Sequence, residues 1–438
     1  MSDIDKDRRL IYTRRGFLKT AVLAAGALVA APLLSDPKEA GAAALAEKVG
    51  AKSPHSGTAT RLGVLLPESH LYPELGSNFL AGMRAYLGLG SDNAPGRQVT
   101  VIAEKTGFGP QRIVQKAEKL LREDGANLLV GLLTPSVATT LHGMLEANKT
   151  YLIAASVGEN LPRRSEQHPF TFYHTLATWQ SNYALGEWAA GKLGRRAFVA
   201  TSFYDSGYDS LYAFRLGFER GGGTVTQTYV SGLPGDTSGM NAVVEAMVQA
   251  QPDMVYGAFC GERASDFVKA YAHSSLSGRI PLVGSAFLVD ESLLSVQGAA
   301  ALGVTTAFSS PALESHESQA FIAAYRKEST QAPDAFALLG YETAQLVAEA
   351  LNPVGKNALL GERLKRVNFT GPRGPIAIDP TTHSTAGGPI YLREVQRQGG
   401  ALRNVTVAEL NAVAVKDAQV EALRDSPKTG WLNAYLSV

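Results

Sequence analysis

A chain of 438 residues, 45% hydrophobic and 18% charged, has the apolar content for a sizeable core and the length for two or three domains. Its 41 basic and 40 acidic residues give a formal net charge of +1, without the basic excess that neutralising phosphates demands, so nucleic acid is not an expected partner. The single cysteine, Cys260, excludes an intramolecular disulfide and any multi-cysteine metal site, leaving only a zinc site of His and carboxylates formally open.

The chain begins unlike the rest of itself. Lys6, Arg8, Arg9, Arg14, Arg15 and Lys19 precede an apolar stretch from Ala21 to Leu34, the layout of an export signal. The run Thr13-Arg14-Arg15-Gly16-Phe17-Leu18-Lys19 is similar to the twin-arginine export motif, and Ala40-Gly41-Ala42 offers a cleavage site near Ala42. A membrane anchor would need about 20 apolar residues, and this stretch is shorter and interrupted by Pro32. Removing residues 1–42 takes away seven basic and five acidic groups, leaving 34 against 35 and a net charge of −1. The expected product is a protein of the periplasm, after a flexible leader over 43–60.

From there short apolar runs alternate with helix-length amphipathic segments. The first series has runs at Leu62–Leu66, Val99–Ala103, Leu128–Leu132 and Tyr151–Ala154, with helices near Gly76–Leu87, Pro110–Glu123 and Ser136–Ala147. After Phe170–His174 and a helix from Thr178 to Lys192, a second series has runs at Ala197–Thr201, Thr224–Tyr229, Met254–Ala258, Ile280–Val283 and Gly303–Phe308. Its helices fall near Gly207–Arg220, Gly239–Gln249, Ala264–His273 and Ser315–Ser329, followed by Ala335–Leu351 and Leu359–Val367. Continuous apolar strands between helices mean parallel sheets buried on both faces. Glycine and proline then punctuate short runs at Ile376–Ile378 and Ile390–Val395, which read as antiparallel or edge strands.

Several of these segments resemble the leucine/isoleucine/valine-binding family of type I periplasmic solute-binding proteins. They are Leu62-Gly63-Val64-Leu65-Leu66-Pro67, Val130-Gly131-Leu132-Leu133-Thr134-Pro135-Ser136, Phe170-Thr171-Phe172-Tyr173-His174, Gly340-Tyr341-Glu342-Thr343-Ala344 and Phe369-Thr370-Gly371-Pro372-Arg373-Gly374-Pro375-Ile376. The resemblance, over roughly residues 60–410, implies two doubly wound α/β lobes joined by three crossovers, with solute held in the cleft and handed to an ABC transporter permease. On that plan lobe 1 comprises 61–176 with about 309–352, and lobe 2 comprises 177–308 with about 353–438. A monomer without a cofactor is expected.

Ligands of open parallel sheets bind beyond the carboxyl ends of strands, where helix starts present free N–H groups. In lobe 1 those places hold Tyr72, Thr134, Ser136, Ala155 and Ser156, and a hydroxyl beside helix N–H groups suits a carboxylate or carbonyl. Thr134 and Ser136 read equally as helix caps. In lobe 2 the family places an aromatic contact near Tyr204, Ser206 and Tyr208 and a second near Phe259 or Cys260. Where its amino-acid binders carry an acid for the ligand ammonium, this chain has Ala286. An unpaired buried ammonium costs several kcal/mol, so unless Glu262 supplies the anion, an apolar or aromatic carboxylate or amide fits better than a branched-chain amino acid. The alternatives are a ligand sensor for a signalling partner and an exported hydrolase or cofactor enzyme. For the last, no His pair has metal-ligand spacing and neither glycine-rich segment matches a phosphate loop. Ser35-Asp36-Pro37-Lys38, Ser91-Asp92-Asn93 and Lys428-Thr429-Gly430 spell β-lactamase motifs outside the required strand and helix context.

Overall fold

A computed structural model describes residues 60–410 apart from 70–71, 89–98, 108–109, 159–165, 203–208, 233–238, 312–314, 353–358 and 386–387. The signal segment, Arg14 and Arg15 included, lies outside the described residues.

The chain starts with β1 (Thr60–Pro67), α1 (Leu75–Leu87), β2 (Val99–Gly107), α2 (Pro110–Arg122), β3 (Leu128–Leu132), β4 (Tyr151–Ser156) and β5 (Thr171–Thr175). It crosses over to α3 (Thr178–Lys192), β6 (Arg196–Ser202), α4 (Asp209–Arg220), β7 (Thr224–Ser231), α5 (Gly239–Ala250), β8 (Met254–Ala258), α6 (Gly261–Ala272), β9 (Leu282–Gly284) and β10 (Thr305–Phe308). It returns for α7 (His316–Tyr325), α8 (Ala335–Leu351), β11 (Asn368–Gly371), β12 (Gly374–Asp379) and β13 (Ser384–Thr385). A third crossing leads to β14 (Ile390–Gln398) and β15 (Ala401–Leu410). The first sheet runs β11-β12-β13-β5-β4-β3-β1-β2 and the second β15-β14-β10-β9-β8-β6-β7, each parallel except at the late edge strands.

The late strands correct one expectation. Lobe 2 is expected to take residues from about 353 to 438, yet β11–β13 extend the first sheet, with Ser384 pairing with Tyr173 on β5, and among the described residues of this range only β14 and β15 join the second. The breaker-rich composition marked edge strands without saying which edge they cover. The stretch predicted as one helix over Ser136–Ala147 is also broken, into Pro135–Ala138, a tight turn at Thr139–Leu141 and His142–Asn148. The β-branched Val137, Thr139 and Thr140 weaken the helix, and two of them compete with it directly: Thr139 and Thr140 donate to the carbonyls of Ser136 and Val137, both at 2.7 Å.

Each lobe is closed by one close helix pair. In lobe 1, α1 crosses α8, where a Cβ on Gly82 would stand 2.0 Å from the Ala337 carbonyl oxygen and one on Gly340 2.0 Å from that of Phe79. In lobe 2, α3 crosses α4 in the same way: a Cβ on Gly186 would stand 2.2 Å from the Phe214 carbonyl oxygen and one on Gly217 2.0 Å from that of Tyr183. The obstacle in each case is backbone, which cannot rotate away as a side chain can. Gly340→Ala and Gly217→Ala should each lower stability by about 1–3 kcal/mol or more, because overpacking of this kind forces helices apart. Urea unfolding midpoints indistinguishable from the parent would show that the helices are not in backbone contact.

Candidate functional site

The carboxyl ends of the parallel strands in the two lobes face each other, and the chain leaving them meets along one seam. Tyr72, on the turn after β1, is buried, with its ring edge-on to Phe336 at 5.4 Å and to Phe287 at 6.4 Å. Phe287 and Phe336 stack at 5.9 Å. Phe336 begins α8 in lobe 1, whereas Phe287 lies in the turn Ala286–Val289 after β9 in lobe 2, so the three rings bridge the lobes. Cys260 and Ala286, both 4% exposed, come from lobe 2 but pack with the apolar cluster of lobe 1. Burial raises the pKa of the Tyr72 hydroxyl well above the usual range, and Asp290, Cys260 and Asp334 raise it further, against a smaller lowering from the backbone of Gly261 at the start of α6.

The hydroxyls expected in lobe 1 stand close together. Thr134 precedes the short helix Pro135–Ala138 but its side chain makes no capping bond; its Oγ1 lies 3.4 Å from Ser136 Oγ instead. The capping reading therefore fails for Thr134, whose hydroxyl faces the neighbouring hydroxyl. Ser156 Oγ accepts from the N–H of Gly158 at 3.3 Å, holding the turn after β4, and Ala155 is fully buried in β4, its carbonyl accepting from Leu133 N–H.

Two lobe 2 expectations are corrected. Phe259 does not face the cleft: it stacks on Phe267 at 4.4 Å in the lobe 2 core, beside Phe198 and Val255. Successive residues leaving a strand point to opposite sides, so the seam position falls to Cys260 and Phe259 goes inward. Glu262 is exposed and lies away from the three rings, lining with Ser231, Gly232, Arg263 and Asp266 a cavity of about 400 Å³ at the starts of α5 and α6. None of the three rings lines that cavity. Tyr204, Ser206 and Tyr208 lie outside the described residues.

Sequence reasoning missed the two acids beside Tyr72. Asp334 caps α8, accepting from Ala337 N–H at 2.7 Å and from Asn78 Nδ2 at 2.9 Å. Asp290, in lobe 2, is 8% exposed and accepts from the N–H and the hydroxyl of Ser292 at 3.0 and 2.7 Å. Burial, and next the negative charge of Asp290, push the Asp334 pKa up to about 7, against the two hydrogen bonds it accepts. The signal available in sequence was the Asp at a helix start, which reads as a cap and not as a site. Among the described residues no group of three His, Cys, Asp or Glu side chains could hold a metal, and no helix is long and apolar enough to cross a membrane.

Comparison with known proteins returns the same fold. The sequence profile of the family described as periplasmic binding protein matches residues 59–401. The chain belongs to this family. Leu/Ile/Val-binding protein homolog 6 of Brucella abortus is 26% identical over 348 residues, 77% of this chain and 87% of that protein. An ABC transporter substrate-binding protein from Sphaerobacter thermophilus has 26% identity and a TM-score of 0.72 over 81% of this chain and 98% of its own. An ABC transporter solute-binding protein from Rhodopseudomonas palustris, solved with 3,4-dihydroxybenzoic acid, has 27% identity and a TM-score of 0.70 over 82% of this chain and 99% of its own. A further one from R. palustris, solved with benzoate, has 26% identity and a TM-score of 0.69 over 83% and 99%. The role of this periplasmic binding protein is solute binding.

The raised pKa of Asp334 has a sign that can be measured. Its contribution to stability is complete below the ordinary value of 3.8 and is lost as pH rises through about 7, since the folded chain holds the proton more tightly. The variant D334N keeps a capping side chain and carries no titration, so it should gain thermal stability relative to the parent between about pH 4 and about pH 8. A difference in melting temperature that does not change with pH would contradict the burial of this carboxyl.

Proposed function

We propose that this protein is the solute-capturing component of an ABC uptake system, closing two lobes on a small aromatic carboxylate and presenting it to a permease. The observation that carries this reading is the ring cluster of Tyr72, Phe287 and Phe336, contributed by both lobes. A flat ring of benzoate size would replace these contacts with equivalent ones when it entered, and aromatic pairs contribute about 0.5–1.5 kcal/mol beyond area burial. Thr134 and Ser136 supply hydroxyl donors for a carboxylate or phenol. The benzoate and dihydroxybenzoate bound by the R. palustris relatives have this same chemistry. The reading includes no chemical step on the solute, a monomeric protein, and export through the twin-arginine route; replacing Arg14 and Arg15 with Lys should leave the precursor uncleaved in the cytoplasm.

Asp290 and Asp334 favour a second reading, a solute bearing an amine, because they place carboxyl groups by the rings where Ala286 supplies none. Thermal-shift titration with benzoate, 4-hydroxybenzoate, leucine and phenylalanine separates the two. A ligand at 100 times its Kd should stabilise the protein by about 2.7 kcal/mol. Benzoates are expected to act and leucine to fail; the reverse order would reject the aromatic-acid reading, and chemical turnover of any of them would reject a binding protein. Tyr72→Ala and Phe336→Ala should each weaken benzoate binding by at least about tenfold, about 1.4 kcal/mol. Phe259→Ala should lower stability by about 3–5 kcal/mol and leave benzoate affinity within about threefold, as a core residue does.

A further inference from the structure

Two of the three crossings between the lobes meet at one side chain. Arg373 sits in the tight turn joining β11 and β12, on the edge of the lobe 1 sheet. Its guanidinium is 9% exposed and donates through Nε and Nη2 to Oε2 of Glu342, at 2.8 and 2.7 Å. Glu342 lies in the middle of α8 and is wholly buried. Burial raises the carboxyl pKa, but Arg373 and His174 together outweigh it and hold Glu342 below its ordinary value. Burial also lowers the pKa of His174, whose Nε2 is 3.4 Å from the same oxygen.

The remaining donors of Arg373 reach the lobe 1 ends of two of the crossings. Nη1 reaches Ser309 Oγ at 2.9 Å, on the return crossing after β10, and Nη2 reaches the carbonyl of Thr175 at 3.1 Å, the last residue of β5, from which the first crossing starts. Ser309 in turn donates to the carbonyl of Leu176, tying the two crossings to each other. The third crossing starts from Thr385, whose Oγ1 accepts from Thr175 N–H at 3.1 Å. Ser318, early in α7, donates to the carbonyl of Pro372 in the turn that carries Arg373, at 2.9 Å. The first crossing holds a backbone that is itself set apart: Ala177 has φ of +54°, a region that residues with a Cβ avoid.

This hub is continuous with the candidate site. Leu176 N–H donates to the Ser156 carbonyl at 3.3 Å, Thr178 to that of Val157 at 3.0 Å, and Trp179 N–H to that of Gly158 at 2.7 Å. The turn after β4 that carries Ser156 is therefore sewn to the first crossing, and the first crossing to Arg373.

We propose that Arg373 is the positioning residue of the hinge: anchored on Glu342 in lobe 1, it clasps the first and second crossings and so holds the lobes in the arrangement where Tyr72 meets Phe287. A guanidinium suits this task because its planar fork donates in several fixed directions at once, whereas an ammonium is a single point charge. Glu342 supplies the fixed anchor, since a buried carboxylate cannot release its cation to water without a large penalty. Loosening the two crossings would let the lobes rotate about them. The proposal rests on the two-lobe closure described above but not on the identity of the solute.

Spin labels at Gln115→Cys in lobe 1 and Arg215→Cys in lobe 2, with Cys260 changed to Ala, report lobe separation by double electron–electron resonance without any ligand. Both Arg373→Lys and Ser309→Ala should move the distance distribution to longer values relative to the labelled parent, while Lys365→Ala, which removes an exposed ion pair with Glu362, should not move it. Ser309→Ala keeps the buried ion pair and so remains readable if Arg373→Lys folds poorly. A parental distance distribution in Ser309→Ala and in any folded Arg373→Lys, even with a lower melting temperature, would reduce Arg373 to a structural residue and overturn the proposal. Failure of benzoate to bind would reject the aromatic-acid reading and leave this measurement unaffected, because no ligand enters it.

Discussion

The carboxylate of Glu342, with no exposure to solvent and a guanidinium on one of its oxygens, is the constraint around which the two lobes are joined. Breaking such a pair by removing one partner costs about 3–5 kcal/mol, because the charge left behind is buried and unpaired. The pair could not have formed within a single element: Glu342 comes from a helix of lobe 1 and Arg373 from a turn between edge strands that close the same sheet. Its outer donors then fall on both crossings that leave and re-enter that lobe. The ion pair thus does for the connection between lobes what the glycine-mediated helix crossings do within them.

The seam is a different kind of contact. Its rings, Tyr72, Phe287 and Phe336, make an apolar cluster, and on the proposed reading a solute enters by replacing ring–ring contacts with its own. The lobes in this arrangement are therefore held by two unlike interactions, a polar network at the hinge and an aromatic contact at the mouth. The polar one has fixed directions and sets the angle; the aromatic one is less directional and sets what can lie between. The acids at Asp290 and Asp334 add a charge constraint at the same place, and burial keeps a proton on Asp334 near neutral pH.

Much of the architecture was legible from local pattern. Leu128–Leu132 and Met254–Ala258 read as buried parallel strands because five consecutive buried residues leave no polar face, and both are such strands. The helix from Thr178 to Lys192 has the same limits in sequence and in structure. The site was legible only in part. Tyr72, Cys260 and Ala286 do meet at the seam, but Phe259 turns inward, since one position along a strand end reverses the side to which a side chain points. Phe287 stood next to a residue that was singled out, and Asp334 carried only the signature of a cap.

Taken alone, the sequence determined the alternation of strand and helix, the repetition of that alternation in two series, and the absence of disulfides, because each depends on periodicity or composition within a short stretch. Only the tertiary structure decided that β11–β13 belong to the first sheet, and that Arg373 lies against Thr175 and Ser309, residues 198 and 64 positions away. Edge strands carry similar composition whichever sheet they complete, and a guanidinium finds its acceptors by where the chain returns in space. No local pattern encodes that return; it follows from how the two cores close.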